Sequence, residues 1–215
     1  MRVGVENRTP MRVGAEDIQS VQQFVYLGSV VSETGGTEED ITSRIAKARA
    51  TFAQLRPIWQ SRMLTRRIKV KIFGSNVKSV LLYECETWKV TKHISHRLQV
   101  FVNRCLRRIL NIYWPEKISN EQLWERCRET PISQQIKRRK WNWIGHTLRR
   151  DLNHIPKQAL DWNPQGKRKR GRPKQTWRRT VADEAKRAGK TWSEVKHEAQ
   201  DRTRWRLTVD ALCPT

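Results

Sequence analysis

Between Lys167 and Arg179, eight of thirteen residues are Lys or Arg and none is acidic. Like charges at this density repel one another, so the stretch cannot collapse into a core of its own. Any packed structure must be built on either side of it. The same density becomes favourable beside a polyanion, where each phosphate neutralised also releases a condensed counterion.

Arg170-Gly171-Arg172-Pro173 narrows the geometry of this run. Gly lets the backbone approach a surface closely, and Pro keeps the strand extended and non-helical. Arg-Gly-Arg-Pro is the core of the AT-hook, which lies in a narrow A·T-rich minor groove with its arginines pointing inward. A solvated basic linker and a nuclear-import signal use the same residues. Candidate phosphate-contacting residues here are Lys167, Arg168, Lys169, Arg170, Gly171, Arg172, Pro173, Lys174, Arg178 and Arg179.

The chain-wide charge is +23 over 215 residues, and it is unevenly spread. Residues 131–180 hold 15 Lys or Arg against two carboxylates. More than half the excess thus sits in under a quarter of the chain, which is a patch and not a general solubilising charge. Nucleic acid, as RNA, DNA or a hybrid duplex, is the partner this implies. Ten tryptophans are a second departure from ordinary composition. Their flat faces serve either a core or stacking on bases and arginines.

Cys85, Cys105, Cys127 and Cys213 include no Cys-x-x-Cys pair, so neither a zinc knuckle nor a disulfide framework is indicated. His93 and His96 have no cysteine or carboxylate following at a ligand-like spacing, and no metal or other cofactor is expected. No apolar run approaches a membrane span and no signal peptide opens the chain, so a soluble, intracellular, nuclear protein without a membrane partner is expected.

The apolar spacing gives a mainly α fold with a small N-terminal β-hairpin. Met11–Val31 is rich in β-formers, with turns expected near Glu16-Asp17 and Gly28-Ser29. After Gly35-Gly36, Thr37 caps a helix whose first turn, Glu38-Glu39-Asp40, is acidic. Ile41, Ile45, Ala48, Phe52 and Leu55 form its apolar face, with Arg44, Lys47 and Arg49 away from it, and Pro57 stops or kinks it. A second helix runs from Leu64 to about Tyr83. A third carries Ile94, Leu98, Phe101, Cys105 and Ile109 on one face, with Arg97, Arg104, Arg107 and Arg108 elsewhere. Ser119-Asn-Glu-Gln122 is a capping box opening a short helix. Pro131 starts another from Ile132 to about Leu148, containing Lys137, Arg138, Arg139 and Lys140 followed by Trp141 and Trp143. Two readings of that run stand side by side: a Trp-and-cation clamp on a strand, or a solvated face beside a core of Trp143 and Ile144. Beyond the linker, Trp177, Val181, Ala185 and Ala188 make a short apolar face that Gly189 ends. Thr191-Trp-Ser-Glu194 then caps a last helical region containing Trp192, Val195 and Ala199, which Trp205, Val209 and Leu212 continue after a bend. The divisions are 1–36, 37–150, 151–175 and 176–215: hairpin, helical bundle, basic linker and C-terminal helical unit.

Several of these segments resemble, in order, the region after the palm in non-LTR retrotransposon endonuclease–reverse transcriptases, nearest the RTE-like group. They are Phe24-Val-Tyr-Leu-Gly28-Ser, Asp40-Ile-x-x-Arg-Ile-x-x-Ala48, Leu81-Leu-Tyr-x-Cys-Glu-Thr-Trp88, Trp141-x-Trp-Ile-Gly-His146-x-Leu-Arg and Gly166-Lys-Arg-x-Arg-Gly-Arg-Pro173. Thr176-Trp-Arg-Arg, Ala199-x-Asp-Arg-x-x-Trp205-Arg and Ala211-Leu-Cys213 complete the series. The resemblance implies that Tyr26, Leu27 and Gly28 are similar to a primer grip, and that the bundle is similar to a thumb holding primer–template. It also implies that fingers and palm precede Met1 and are a further partner. Glu84 departs from the pattern, which has Gly there, and an altered local turn is expected.

The family's polymerase site needs paired metal-binding aspartates, and none of the seven aspartates here adjoins another. Phosphoryl transfer on two metals has no site in this chain by that criterion, so it is expected to bind nucleic acid without catalysis. Two rivals remain: a stand-alone transposon-derived nuclear protein of AT-hook type, and a residual metal-dependent nuclease using Asp161 with Glu184 and Lys186. The second is weakened because Glu184 and Lys186, two apart on a helix, point to different sides.

Overall fold

The computed structural model describes residues 11–33, 36–162 and 175–213. Helices dominate, and two small antiparallel hairpins precede them. The chain forms two compact units, residues 1–84 with 96–127 and residues 85–95 with 128–215.

In the first unit, β1 (Met11–Val13) pairs with β2 (Glu16–Ile18), and β3 (Gln23–Tyr26) pairs with β4 (Ser29–Ser32). The first turn is Gly14-Ala15, two residues before the expected Glu16-Asp17. Gly14 takes φ 62° at no steric cost, while Asp17 is drawn into β2 opposite Arg12, with Nε and Oδ1 2.6 Å apart. The second turn is Leu27-Gly28, both residues at positive φ (48° and 87°), which matches the twist of a two-residue hairpin.

Helix α1 (Glu38–Gln54) buries Ile41, Ala48 and Phe52 as its spacing requires. Arg44, although off that apolar face, is only 5% exposed. Its guanidinium donates to Ser29 Oγ at 2.7 Å, lies 3.7 Å from both Asp40 and Glu84, and sits 4.4 Å over the Tyr83 ring. Glu84 also accepts from the Ser29 hydroxyl. Asp40 Oδ1 in turn accepts from Val30 N at 3.0 Å. A buried charge is tolerable only when paired in this way, and the pairing ties the second hairpin to α1. Glu84 itself lies at φ 60°, the left-handed region that favours Gly.

Pro57 lies in the first turn of the short α2 (Arg56–Gln60). The expected second helix is α3 (Arg66–Ile72), a π-helical stretch Phe73–Lys78 and α4 (Ser79–Leu81). In the π stretch Asn76 Nδ2 donates to Ile72 O at 3.1 Å, and Phe73 and Val77 stay buried. Helix α5 (Lys92–Leu110) buries Ile94, Leu98, Phe101, Cys105 and Ile109 and leaves its arginines off that face. In α6 (Asn120–Cys127) both bonds of the capping box form, Gln122 N to Ser119 Oγ at 3.2 Å and Ser119 N to Gln122 Oε1 at 3.1 Å.

The second unit is built around α7 (Ile132–Leu148). With α8 (Ile155–Asp161), α9 (Trp177–Arg187), α10 (Trp192–Glu198) and α11 (Arg202–Leu212), it encloses a core of Trp141, Ile144, Leu148, Leu160, Val181, Ala185, Val195, Ala199, Trp205, Val209 and Leu212. Trp141, and not Trp143, is the fully buried tryptophan of α7. Trp143 is half-buried, its ring edge-on to Trp177 at 6.1 Å. Gly145 is required by packing: a Cβ there would overlap the Trp205 indole. The Thr191–Glu194 capping box forms, Gly189 ends α9 at φ 68°, and Asp201 caps α11. Among the described residues no helix is long and apolar enough to cross a membrane.

Candidate nucleic-acid interface

The run Lys137–Lys140 lies on α7, and the fold takes up most of it. Lys140 is buried, with Nζ 2.7 Å from Glu184 Oε1, while Trp141 Nε1 donates to the other oxygen at 2.7 Å. Lys137 Nζ donates to Leu212 O at 2.5 Å. Arg138 pairs with Asp210 at 2.6 Å and reaches Cys213 O at 3.4 Å. Lys137 and Arg138 therefore satisfy the C-terminal end of α11, where orphan carbonyls and the helix dipole favour cations. Arg139 alone of the four is exposed.

Arg178 and Arg179 stand in the first turn of α9. Arg178 donates to Trp162 O at 2.6 Å, and the Arg179 backbone N–H is taken by the Thr176 side chain at 3.3 Å. Lys167, Arg168, Lys169, Arg170, Gly171, Arg172, Pro173 and Lys174 lie outside the described residues. Tyr26 and Leu27 are exposed at the hairpin tip, and the Gly28 carbonyl accepts from Lys47 Nζ at 2.8 Å. Phe24 and Tyr26 stack at 6.4 Å on the same exposed strand.

At the C-terminal end of α7 the fold assembles a group of cations from separate places in the chain. Arg150 lies 2.9 Å from His146 Nε2, and Arg149 donates to Ala199 O at 2.9 Å. The His146 ring is held below its ordinary pKa by partial desolvation, then by the positive charges of Arg150, Arg149, Arg202 and His154. Arg149 is lowered too, by burial and by Arg202. The charges that lower the His146 pKa are all positive. Arg202 opens α11 at its dipole-positive end, a position where a cation is disfavoured. Mutual repulsion of this kind is relieved by a bound polyanion.

The distribution of charge along residues 131–180 pointed to this half of the chain, but not to these residues. His146 and Arg149 fall within the Trp-x-Trp-Ile-Gly-His-x-Leu-Arg segment without a role attached. The one local signal for Arg202 was a cation directly after a helix-capping Asp.

The acidic residues of the nuclease reading are occupied. Asp161 accepts from Trp192 Nε1 at 3.0 Å and from Lys196 Nζ at 2.8 Å; burial alone would raise its pKa, but these bonds and the charges of Lys196 and Arg178 hold it low. Glu184 is the partner of Lys140. Among the described residues no three His, Cys, Asp or Glu side chains are grouped to hold a metal ion. All four cysteines are free and buried, and burial, with the Glu86 charge adding to it, pushes the Cys85 thiol up to about 12. Burial pushes Cys105 up to about 12 as well, against the opposing charges of Arg108 and Arg104.

Comparison with known proteins places the chain beside a mobile element. It is 26% identical over 204 residues to an uncharacterised transposon-derived protein of Caenorhabditis elegans, covering 89% of this chain and 71% of the relative. This similarity supports a transposon origin. Residues 51–83 match a domain of unknown function, DUF6451, which covers the end of α1 through α4 and the π-helical stretch between. No solved structure matches.

Proposed function

We propose that the chain is the post-palm, C-terminal part of a non-LTR retrotransposon endonuclease–reverse transcriptase, and that it holds nucleic acid without catalysing a reaction itself. The observation that carries this is the group of His146, Arg149, Arg150, His154 and Arg202 gathered at the end of α7. A transposon origin and the ordered series of matching segments support the family. The hairpin tip at Tyr26, Leu27 and Gly28 is the part that would face a primer, and Arg139 is a further candidate phosphate contact, as is the sequence run 167–174. RNA, DNA and hybrid duplexes share the phosphate chemistry on which this binding rests. A nuclear site of action goes with the reading.

Salt dependence tests it. If about six basic residues meet phosphates, the log–log slope of affinity against salt is about −5 on a duplex and about −4 on a single strand. Removing residues 166–174 flattens the slope without abolishing binding, because the α7 group remains. Affinity that does not respond to salt, or magnesium-dependent primer extension by this chain alone, would overturn the proposal.

A further inference from the structure

Within the first unit, a groove of about 550 Å³ runs beside the C-terminal half of α5, lined by Arg104, Arg107, Arg108, Asn103, Asn120 and Tyr113 with Val100 and Ile112. Arg104, Arg107 and Arg108 are spaced i, i+3 and i+4, so one helix face carries all three, and like charges so placed repel. The dipole at the helix end explains a cation at Arg107 or Arg108, but not the convergence of three on a cavity. Arg104 and Arg108 are exposed, and their side chains have no ion pair or hydrogen bond among the described residues.

The floor of this groove is held rigid. Asn103 Oδ1 accepts from Gln99 Nε2 at 2.8 Å and Trp124 Nε1 at 2.9 Å, and its Nδ2 donates to Asn120 Oδ1 at 2.9 Å. Arg107 donates to the same Asn120 oxygen at 2.9 Å and to Ile118 O at 3.4 Å. Asn103 is 5% exposed, so these bonds satisfy a buried amide and fix Asn120 and Arg107 together. Arg107 keeps further N–H donors, and the Asn120 amide N–H groups have no acceptor among the described residues. Tyr113 is 60% exposed at the rim. Trp114, next in the chain, is 80% exposed, with Lys117 Nζ 4.9 Å over its ring.

We propose that this groove binds a single-stranded nucleic-acid segment, with Arg104, Arg107 and Arg108 on a phosphate and Tyr113 stacked on the neighbouring base. Three guanidiniums around fixed amide donors suit a phosphate, whose oxygens accept several bonds at once. An exposed tyrosine at the rim suits the flat face of a base, and a strand offers such faces only when unpaired. The groove is also the size of pockets that take one small ligand, about 300–1,000 Å³. The proposal rests on the reading that the chain binds nucleic acid, and it adds the strand class and the residues.

The test uses the full chain with a fluorescein-labelled eight-nucleotide oligothymidylate, and in parallel a blunt duplex. Arg104→Ala with Arg108→Ala should weaken the oligothymidylate about tenfold or more while leaving the melting temperature and the duplex affinity nearly unchanged. Tyr113→Ala should weaken it by a comparable factor, and Tyr113→Trp should retain binding, since any aromatic face stacks. Arg150→Ala with Arg202→Ala serves as the opposite control, weakening the duplex more than the single strand. If oligothymidylate binds the wild type and the α5 variants bind it equally well, the groove is not the site, although the chain still binds nucleic acid. If the arginine pair matters and Tyr113→Ala does not, the groove is an anion surface only and the base-stacking proposal is overturned. If neither probe binds the wild type, both readings fall together.

Discussion

Two basic stretches of the same helix meet opposite fates. In the middle of α7, Lys137, Arg138 and Lys140 are bound to Leu212, Asp210 and Glu184. At its end, His146, Arg149 and Arg150 are joined by His154 and Arg202, whose charges add to one another in lowering the His146 pKa. The first stretch is denser in sequence and draws attention as a phosphate tracker. The second is scattered over more than fifty positions and becomes a cluster only on folding. Charge density along a chain therefore measures how many cations there are, whereas their availability depends on what the fold sets opposite them.

The largest expected effect is on stability and belongs to the middle stretch. Lys140→Ala leaves Glu184 without its charged partner in a buried place and should cost about 3 kcal/mol in urea unfolding. Gly145→Ala should cost a similar amount, about 2–3 kcal/mol, by forcing α7 away from Trp205. Nucleic-acid affinity of either variant, measured well below its unfolding midpoint, should be close to wild type. A Lys140→Ala protein as stable as wild type but weaker in binding would reverse the comparison.

Next comes Arg150→Ala with Arg202→Ala, which removes two exposed cations from the end cluster. Stability should change by less than about 0.5 kcal/mol, because both side chains are exposed and the contact of Arg150 with His146 lies at the surface. The salt slope on a duplex should fall by about 2, close to 0.9 for each phosphate no longer neutralised. An unchanged slope would place the binding surface elsewhere in the chain.

Arg138→Ala should be smaller still. Its pair with Asp210 is largely solvent-exposed, so about 0.5 kcal/mol is the expected loss, with no change in salt slope. A slope reduced as much as by the Arg150 and Arg202 pair would erase the distinction between the two stretches.

The smallest effect sharpens the comparison through pH. Because the folded pKa of His146 lies below its ordinary value, the unfolded chain binds more protons in that window. Stability should therefore decline as pH falls from about 6.5 toward the depressed value. A bound polyanion opposes the surrounding charges of Arg149, Arg150, Arg202 and His154 and raises that pKa. Affinity should accordingly increase modestly over the same fall in pH, and His146→Gln should flatten the response. A titration in which His146→Gln keeps the full pH dependence would assign it to another group.

Much of the architecture was legible from residue spacing. The helices α1, α5, α6, α7, α9 and α10 follow from apolar periodicity and, for α6 and α10, from the capping boxes at Ser119 and Thr191, because these signals are local and lie within one or two turns. The hairpin region was legible for the same reason, although Gly14 placed its first turn two residues from the expected position. The burial of Arg44 was not legible from α1 alone, because its partners Ser29 and Glu84 come from a hairpin and a turn outside the helix.

What the sequence by itself determined was the mainly helical fold class, the element order and a strong excess of positive charge in one part of the chain. What only the tertiary structure decided was which of those charges remain open to a ligand. Lys140 and Glu184 are 44 residues apart, and Lys137 and Leu212 are 75 apart. Arg149 and Arg150 act on His146 from a turn away, but Arg202 reaches it from another helix. Helical periodicity acts over a few residues, whereas Coulomb pairing acts between whatever the fold brings within a few ångströms. The face of each helix can therefore be read along the chain, and the neutralisation of a charge only across it.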